Sequence, residues 1–151
     1  MSSQPRSFLS FDFGTRRIGV ATGNTVLGRA EPLLTLAASG SGSAHFAQIA
    51  KLVAEWSPDA LVVGVPFHPD GAAHENTLRA RRFARQLHAR LRLPVHEVDE
   101  RYTTTQALAD QKTGLARPGA AADTDAAAAA IILDQFLTNQ AIATADNDAA
   151  A

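Results

Sequence analysis

Three carboxylates in distant parts of the chain, Asp12, Glu100 and Asp125, are the side chains best placed to do chemistry. Asp12 interrupts the apolar stretch from Phe8 to Phe13, where an ionised carboxylate requires a metal ion, a cation or hydrogen bonds to offset its burial. In a mixed sheet, the ends of the first and fifth strands and the start of the last helix can meet, and the three carboxylates then converge. Ligation by oxygen alone suits Mg²⁺ or Mn²⁺, and two such ions about 4 Å apart can promote phosphodiester hydrolysis.

Each of these acids also has a structural interpretation. Asp12 could lie at a strand end and accept hydrogen bonds from the backbone of the following turn. Asp125 could simply favour the dipole at the start of a helix, as could Asp123, its reserve as a metal ligand. Asp99 is the corresponding reserve for Glu100. The residue types alone leave both interpretations open.

The elements that must position these acids follow the order of a small α/β domain. Apolar runs and turn residues predict five strands, at 8–13, 18–21, 29–36, 60–64 and 95–98. Pro32 cannot donate to a ladder, which predicts that the third strand lies at an edge of the sheet. Helices are predicted after the third strand, over 75–92, from Thr103, and from Asp125 to about Asn139. The first strand is then central and adjoins the parallel strands.

Charge is distributed unevenly along the chain. The formal net charge is -1, which does not itself indicate a nucleic-acid-binding protein, but six arginines fall between residues 79 and 92. One helical stripe with spacings of four, three and four consists of Arg81, Arg85, His88 and Arg92. This stripe could follow a phosphate backbone, or it could be an ordinary solvated face. Arg16 and Arg101, which flank the proposed metal site, are further candidates for contact with nucleic acid.

Length and composition indicate one domain. A chain of 151 residues fits a single core, which we place at 1–140, and the small polar residues of 141–151 predict a disordered tail. The absence of cysteine excludes disulfides and thiolate metal sites. The N-terminal residues lack an apolar signal core, and no apolar run approaches the roughly 20 residues that span a bilayer. We therefore expect a soluble cytoplasmic protein that does not interact with membranes.

Four ordered motifs, FDFGTRRIGVA, GVPFHPDG, VDERYTTTQA and DTDAAAAAIIL, resemble those of the pre-16S rRNA nucleases, also described as Holliday-junction-resolvase-like proteins. The resemblance covers about residues 8 to 137. It implies a ribonuclease-H-like fold: a mixed five-stranded sheet, made of an antiparallel three-stranded meander plus two parallel strands, with helices on both faces. It also implies a metal-dependent nuclease that processes the 5′ end of pre-16S rRNA, in contact with the precursor of the small ribosomal subunit. The family's acids fall on Asp12, Glu100 and Asp125, whereas its frequent lysines before the last acid are replaced here by Gly119 to Ala122.

Three other interpretations compete with rRNA processing. The first is an endonuclease that acts on branched DNA. The second is a non-catalytic module that binds RNA or the ribosome, although such a module has no reason to bring three acids together. The third rests on Asp12 to Thr15, which also resemble the phosphate-binding hairpin of actin-like ATPases and sugar kinases. Those proteins close two domains over a nucleotide, and a single domain of this length provides only one.

Overall fold

The computed structural model describes residues 4–38, 43–68, 70–100 and 121–150. The strands are β1 (Ser7–Phe13), β2 (Arg17–Asn24), β3 (Ala30–Ala37), β4 (Ala60–Val65) and β5 (Val95–Asp99). The helices are α1 (Ser43–Trp56), α2 (Glu75–Leu91) and α3 (Ala121–Ala150). The helix predicted from Thr103, Arg101 and most of the loop predicted before the last helix lie outside the described residues.

The five strands form one sheet in the order β3-β2-β1-β4-β5. β1 pairs antiparallel with β2, and β2 pairs antiparallel with β3. β1 pairs parallel with β4, and β4 pairs parallel with β5. The predicted meander with two parallel strands is therefore confirmed, with β1 central and β3 at an edge. Because β1, β4 and β5 are parallel, their carboxyl ends meet at the same edge of the sheet.

Strand alternation divides the core between the two faces of the sheet. Leu9 and Phe11 of β1 belong to one apolar cluster, which also contains side chains of α1 and α2 such as Ile49 and Phe83. Phe8, on the opposite face of β1, belongs to a second cluster. The partners of Phe8 from α3 are Ile132, Leu133, Phe136 and Leu137. Helices therefore cover both faces, as predicted, and α3 alone among the described helices covers the face of Asp12.

The last helix is longer at both ends than the sequence predicted. It begins at Ala121 instead of Asp125, and it continues through the segment predicted to be a disordered tail as far as Ala150. Alanine has the highest helix propensity, and the sequence from 121 to 150 contains neither Gly nor Pro to end a helix. Asp125 is consequently the fifth residue of α3 instead of the first.

The apolar character of α3 has a structural explanation. By length and composition, Thr124–Ala143 could cross a membrane, in contrast to the sequence-based expectation that no run approaches that length. Four of its large apolar side chains, those of Ile132, Leu133, Phe136 and Leu137, are buried against the sheet, whereas Ile142 near its end is exposed. That packing is typical of a core helix in a globular domain.

Candidate active site

Asp12 is held on the central strand beneath α3. It is the penultimate residue of β1 and lies opposite Gly19 of β2. Two residues earlier on the same face, the buried Ser10 hydroxyl donates a 2.8 Å hydrogen bond to the carbonyl oxygen of Ala129. This bond ties α3 to β1 close to Asp12, so the strand and the helix meet at the proposed site.

Glu100 reaches the same region from the end of β5. The last residue of β5, Asp99, lies opposite Val65 at the end of β4, and Glu100 follows directly. Its carboxylate lies over Gly64, because a Cβ atom added there would stand 2.6 Å from Glu100 Oε1. Because Gly64 has no side chain, it leaves the space that the Glu100 carboxylate occupies.

A second glycine allows α3 to approach the sheet. A Cβ atom added to Gly19 would lie 1.9 Å from the carbonyl oxygen of Asp125, which is far inside van der Waals contact. Only glycine at this position lets the backbone of α3 lie directly on β2. Since Gly19 is also the cross-strand partner of Asp12, this contact brings Asp125 to the neighbourhood of Asp12.

Asp12 and Glu100 form a hydrogen-bonded pair of carboxyl groups with raised pKa values. Burial and the nearby charge of Asp125 raise the pKa of Asp12 to about 6, against a lowering effect of the hydrogen bond with Glu100. Burial, the charge of Asp12, the hydrogen bond to Asp12 and the charge of Asp99 raise the pKa of Glu100 to about 7. The two carboxyl groups therefore hold a proton between them at a pH where isolated carboxyl groups are ionised.

Asp125 has a cationic neighbour that the sequence analysis did not single out. Arg17 Nε lies 2.9 Å from Asp125 Oδ2. The contact is ionic and is not an aligned hydrogen bond, because Oδ2 lacks a hydrogen-bond partner. Arg17 is the first residue of β2, and it faces the site, whereas we had considered only Arg16 of the same turn.

The described side chains do not form a ready-made metal centre in this arrangement. Across 4–38, 43–68, 70–100 and 121–150, no group of three or more His, Cys, Asp or Glu side chains is disposed to hold a metal ion. Asp12 and Glu100 bind each other, while Asp125 contacts Arg17 and influences Asp12 through its charge. The donor chemistry nevertheless fits Mg²⁺ or Mn²⁺, since buried carboxylates that hold a proton in common can exchange it for a divalent cation.

The three arginines predicted on α2 lie away from the acids, whereas Arg16 lies in the turn that follows the strand of Asp12. Arg81 contacts Glu97 at 3.3 Å, and its guanidinium lies 5.0 Å from the centre of the Phe67 ring. Arg85 lines a cavity beside β5, and Arg92 caps α2 in the left-handed conformation. Arg16 is exposed in the β1–β2 turn. The residues of α2 therefore lie on the face of the sheet opposite α3 and do not border the acids.

Sequence reasoning missed Arg17, Gly19 and Gly64. Glycine within or at the end of an otherwise apolar strand is a signal of close approach by another group, and both glycines carry it. Arg17 could not be separated from Arg16, because the direction of side chains at a tight turn depends on the turn geometry.

Comparison with known proteins finds relatives over most of the chain. Residues 6–139 match the model of the RuvX family, described as Holliday junction resolvase. A protein of Albidiferax ferrireducens named "Putative pre-16S rRNA nuclease" is 61% identical over 132 residues, which are 87% of this chain and 78% of that protein. A protein of the same name from Polaromonas sp. is 58% identical over 87% of this chain and 88% of its own length.

Solved structures show the same fold at much lower sequence identity. Thermus thermophilus RuvC in complex with a Holliday junction substrate is 14% identical, with a TM-score of 0.55 over 89% of this chain and 95% of that chain. A second structure of Thermus thermophilus RuvC is 15% identical, with a TM-score of 0.52 over 89% of this chain and 95% of that chain. At this identity the likeness supports the ribonuclease-H-like fold alone.

Proposed function

Because this chain belongs to the RuvX family and is a nuclease of the pre-16S rRNA type, we propose that it is a cytoplasmic, divalent-metal-dependent endonuclease that processes the 5′ end of pre-16S rRNA. The observation that carries the proposal is the contact between the half-buried carboxyl groups of Asp12 and Glu100, with Asp125 beside it. Two half-buried acids in contact, with raised pKa values, are costly for folding and indicate a functional site.

Asp12, Glu100 and Asp125 are the residues that would hold Mg²⁺ or Mn²⁺. When bound, such ions supply activation of water and stabilisation of the leaving oxygen in phosphodiester hydrolysis. The chain itself supplies the positions of the acids: Gly64 makes room for the Glu100 carboxylate, and Gly19 lets α3 carry Asp125 to the site. While no metal ion is bound, Arg17 forms an ion pair with Asp125.

The choice of substrate rests on the relatives. Proteins named for pre-16S rRNA are 58–61% identical, whereas the Holliday junction complex of the RuvC fold is only 14% identical. We therefore favour pre-rRNA as the substrate. The family description as Holliday junction resolvase makes cleavage of branched DNA the second candidate.

Parallel cleavage assays test the proposal. The purified chain is incubated with a pre-16S rRNA fragment and with a four-way DNA junction, in Mn²⁺, in Mg²⁺ and in chelator. We expect metal-dependent cleavage of the RNA near the mature 5′ end and much slower cleavage of the junction. Preferential cleavage of the junction would establish the second candidate, and no cleavage of either substrate would favour the non-catalytic binding module.

A further inference from the structure

A cavity of about 550 Å³ separates α2 from β5. It is lined by Ala84, Arg85, His88, Pro94, Val95 and Glu97. β5 is the last strand at its side of the described sheet, so the cavity opens along a sheet edge. His88 Nδ1 lies 2.9 Å from the carbonyl oxygen of Leu93, which fixes the imidazole at the wall of the cavity.

The positive charge of α2 is concentrated beside this cavity. Between residues 75 and 92 the chain has six arginines and one acid, although its net charge is -1. Arg79 is paired with Glu75 at 2.6 Å on the helix surface, and Arg90 lies over the Phe46 ring at 4.3 Å. Arg85 lines the cavity and makes no ion pair with any acid in the described part of the chain, so its charge is free for a ligand.

Aromatic rings lie between this cavity and the carboxyl ends of the parallel strands, where the acids are. Arg81 connects the two regions, because it contacts Glu97 of the cavity wall and stacks over Phe67. Phe67 follows β4, whose last residue lies opposite Asp99, next to Glu100. In the same loop the rings of His68 and His74 are 4.6 Å apart.

We propose that this groove, from Phe67 along Arg81 to Arg85 and His88, binds the single-stranded RNA that flanks the cleavage site. The inference rests on the proposed function, and it assigns phosphate contacts to Arg85 and base stacking to the rings of the loop. Arginines interleaved with aromatic rings suit a single strand, because its unpaired bases can stack on rings while its phosphates follow the cations. An acidic peptide would use the cations and leave the rings without a role.

Binding of RNA without cleavage tests the groove directly. Asp12→Asn protein in chelator is titrated with a short fluorescent single-stranded RNA at several salt concentrations. Adding Arg85→Glu should weaken binding at least tenfold and reduce the slope of log K against log salt. The variant makes fewer phosphate contacts, so fewer counterions are released when RNA binds. The matched control Arg79→Glu makes the same charge change on the same helix and should weaken binding less than threefold.

Three results would contradict the assignment of RNA binding to this groove. These are equal losses of affinity in Arg85→Glu and Arg79→Glu, no loss of affinity in Arg85→Glu, or tighter binding of double-stranded than of single-stranded RNA. Equal losses would indicate diffuse attraction by net charge. Arg85→Gln guards against misfolding, since it retains much of the side chain and must weaken binding in the same direction. Because no cleavage is measured, failure of this test leaves the nuclease proposal intact. RNA that binds through the groove, but that the wild type with Mn²⁺ does not cleave in the separate cleavage assay, would contradict only the nuclease proposal.

Discussion

At the scale of single residues, the electrostatics of the site depend on which acid holds a proton and which acid contacts a cation. Asp12 could be predicted, because an acid within an apolar strand is conspicuous in the sequence. The sequence could not predict that Asp12 contacts Glu100 or that Arg17 pairs with Asp125. Both contacts depend on the directions of side chains at the ends of strands and helices. The sequence pattern and the family resemblance both indicated the three acids, and the structure supplies the contacts that these acids make.

The Asp12–Glu100 pair predicts that stability in chelator falls as pH rises. The pKa values in the folded protein, about 6 for Asp12 and about 7 for Glu100, lie above the ordinary values of 3.8 and 4.5. Between the unfolded and folded pKa values the unfolded chain loses protons that the folded chain keeps. The pair's contribution to stability is therefore complete below about pH 4 and is lost as pH rises through about 6 to 7. Thermal unfolding of the wild type and of Asp12→Asn between pH 4 and pH 7 measures the difference between their melting temperatures.

The comparison with Asp12→Asn is needed because other groups titrate in the same range. Burial lowers the pKa values of His45 and His96, and this makes their contribution to stability rise with pH. These contributions are common to both proteins and cancel in the difference. The melting temperature of Asp12→Asn relative to wild type should therefore increase from pH 4 to pH 7, and a constant difference would contradict the assigned pKa shifts.

Replacement of Arg17 predicts a change in metal binding. Arg17 competes with a metal ion for Asp125, so Arg17→Gln should increase the rise in melting temperature that Mn²⁺ produces. Its own effect on stability should be below about 1 kcal/mol, since the ion pair is partly exposed. Arg16→Gln, at the exposed neighbouring position, is the control and should leave the response to Mn²⁺ unchanged. A weaker response in Arg17→Gln would mean that Arg17 positions Asp125 for the metal.

At the scale of elements, strands were predicted better than helix ends. Apolar runs bounded by Gly and Pro defined all five strands, and Pro32 placed β3 at an edge correctly. The ends of α3 were not predictable, because its alanine-rich sequence continues without a stop signal from 121 to 150. The approach of α3 to β2 was also missed, because it depends on a single glycine, Gly19.

The two site glycines predict different losses on substitution by Ala. At Gly19 the new Cβ would meet backbone of Asp125 and Ala126, which cannot move without shifting α3, so Gly19→Ala should destabilise the fold by about 3 kcal/mol or more. At Gly64 it would meet the ends of the Ile132 and Glu100 side chains, which can rotate away. Gly64→Ala should therefore cost only about 1–2 kcal/mol, yet displace Glu100 and lower cleavage at least tenfold.

Chemical denaturation and cleavage assays on both glycine variants check this contrast. The assay is run at a temperature where each variant is fully folded, so that loss of activity is not loss of fold. Full activity in folded Gly64→Ala would show that the position of Glu100 is not critical for cleavage.

At the scale of the whole molecule, two surfaces are separated by one sheet. The acids lie beneath α3 at the carboxyl ends of β1 and β5, while the arginines of α2 lie on the opposite face. The net charge of -1 conceals this division, because the basic helix is offset by acids elsewhere. The net charge therefore did not indicate a nucleic-acid-binding protein, whereas the local distribution of charge agrees with one.

Titration calorimetry of Mn²⁺ into the wild type and into Asp12→Asn tests most directly whether the acids form a metal centre. Asp12→Asn keeps the size of the side chain but removes the charge that attracts the ion, and its melting temperature in chelator should hold or rise because repulsion among the acids is relieved. The account predicts saturable binding to the wild type and at least tenfold weaker binding to a fully folded Asp12→Asn. Identical isotherms for the two folded proteins would contradict it.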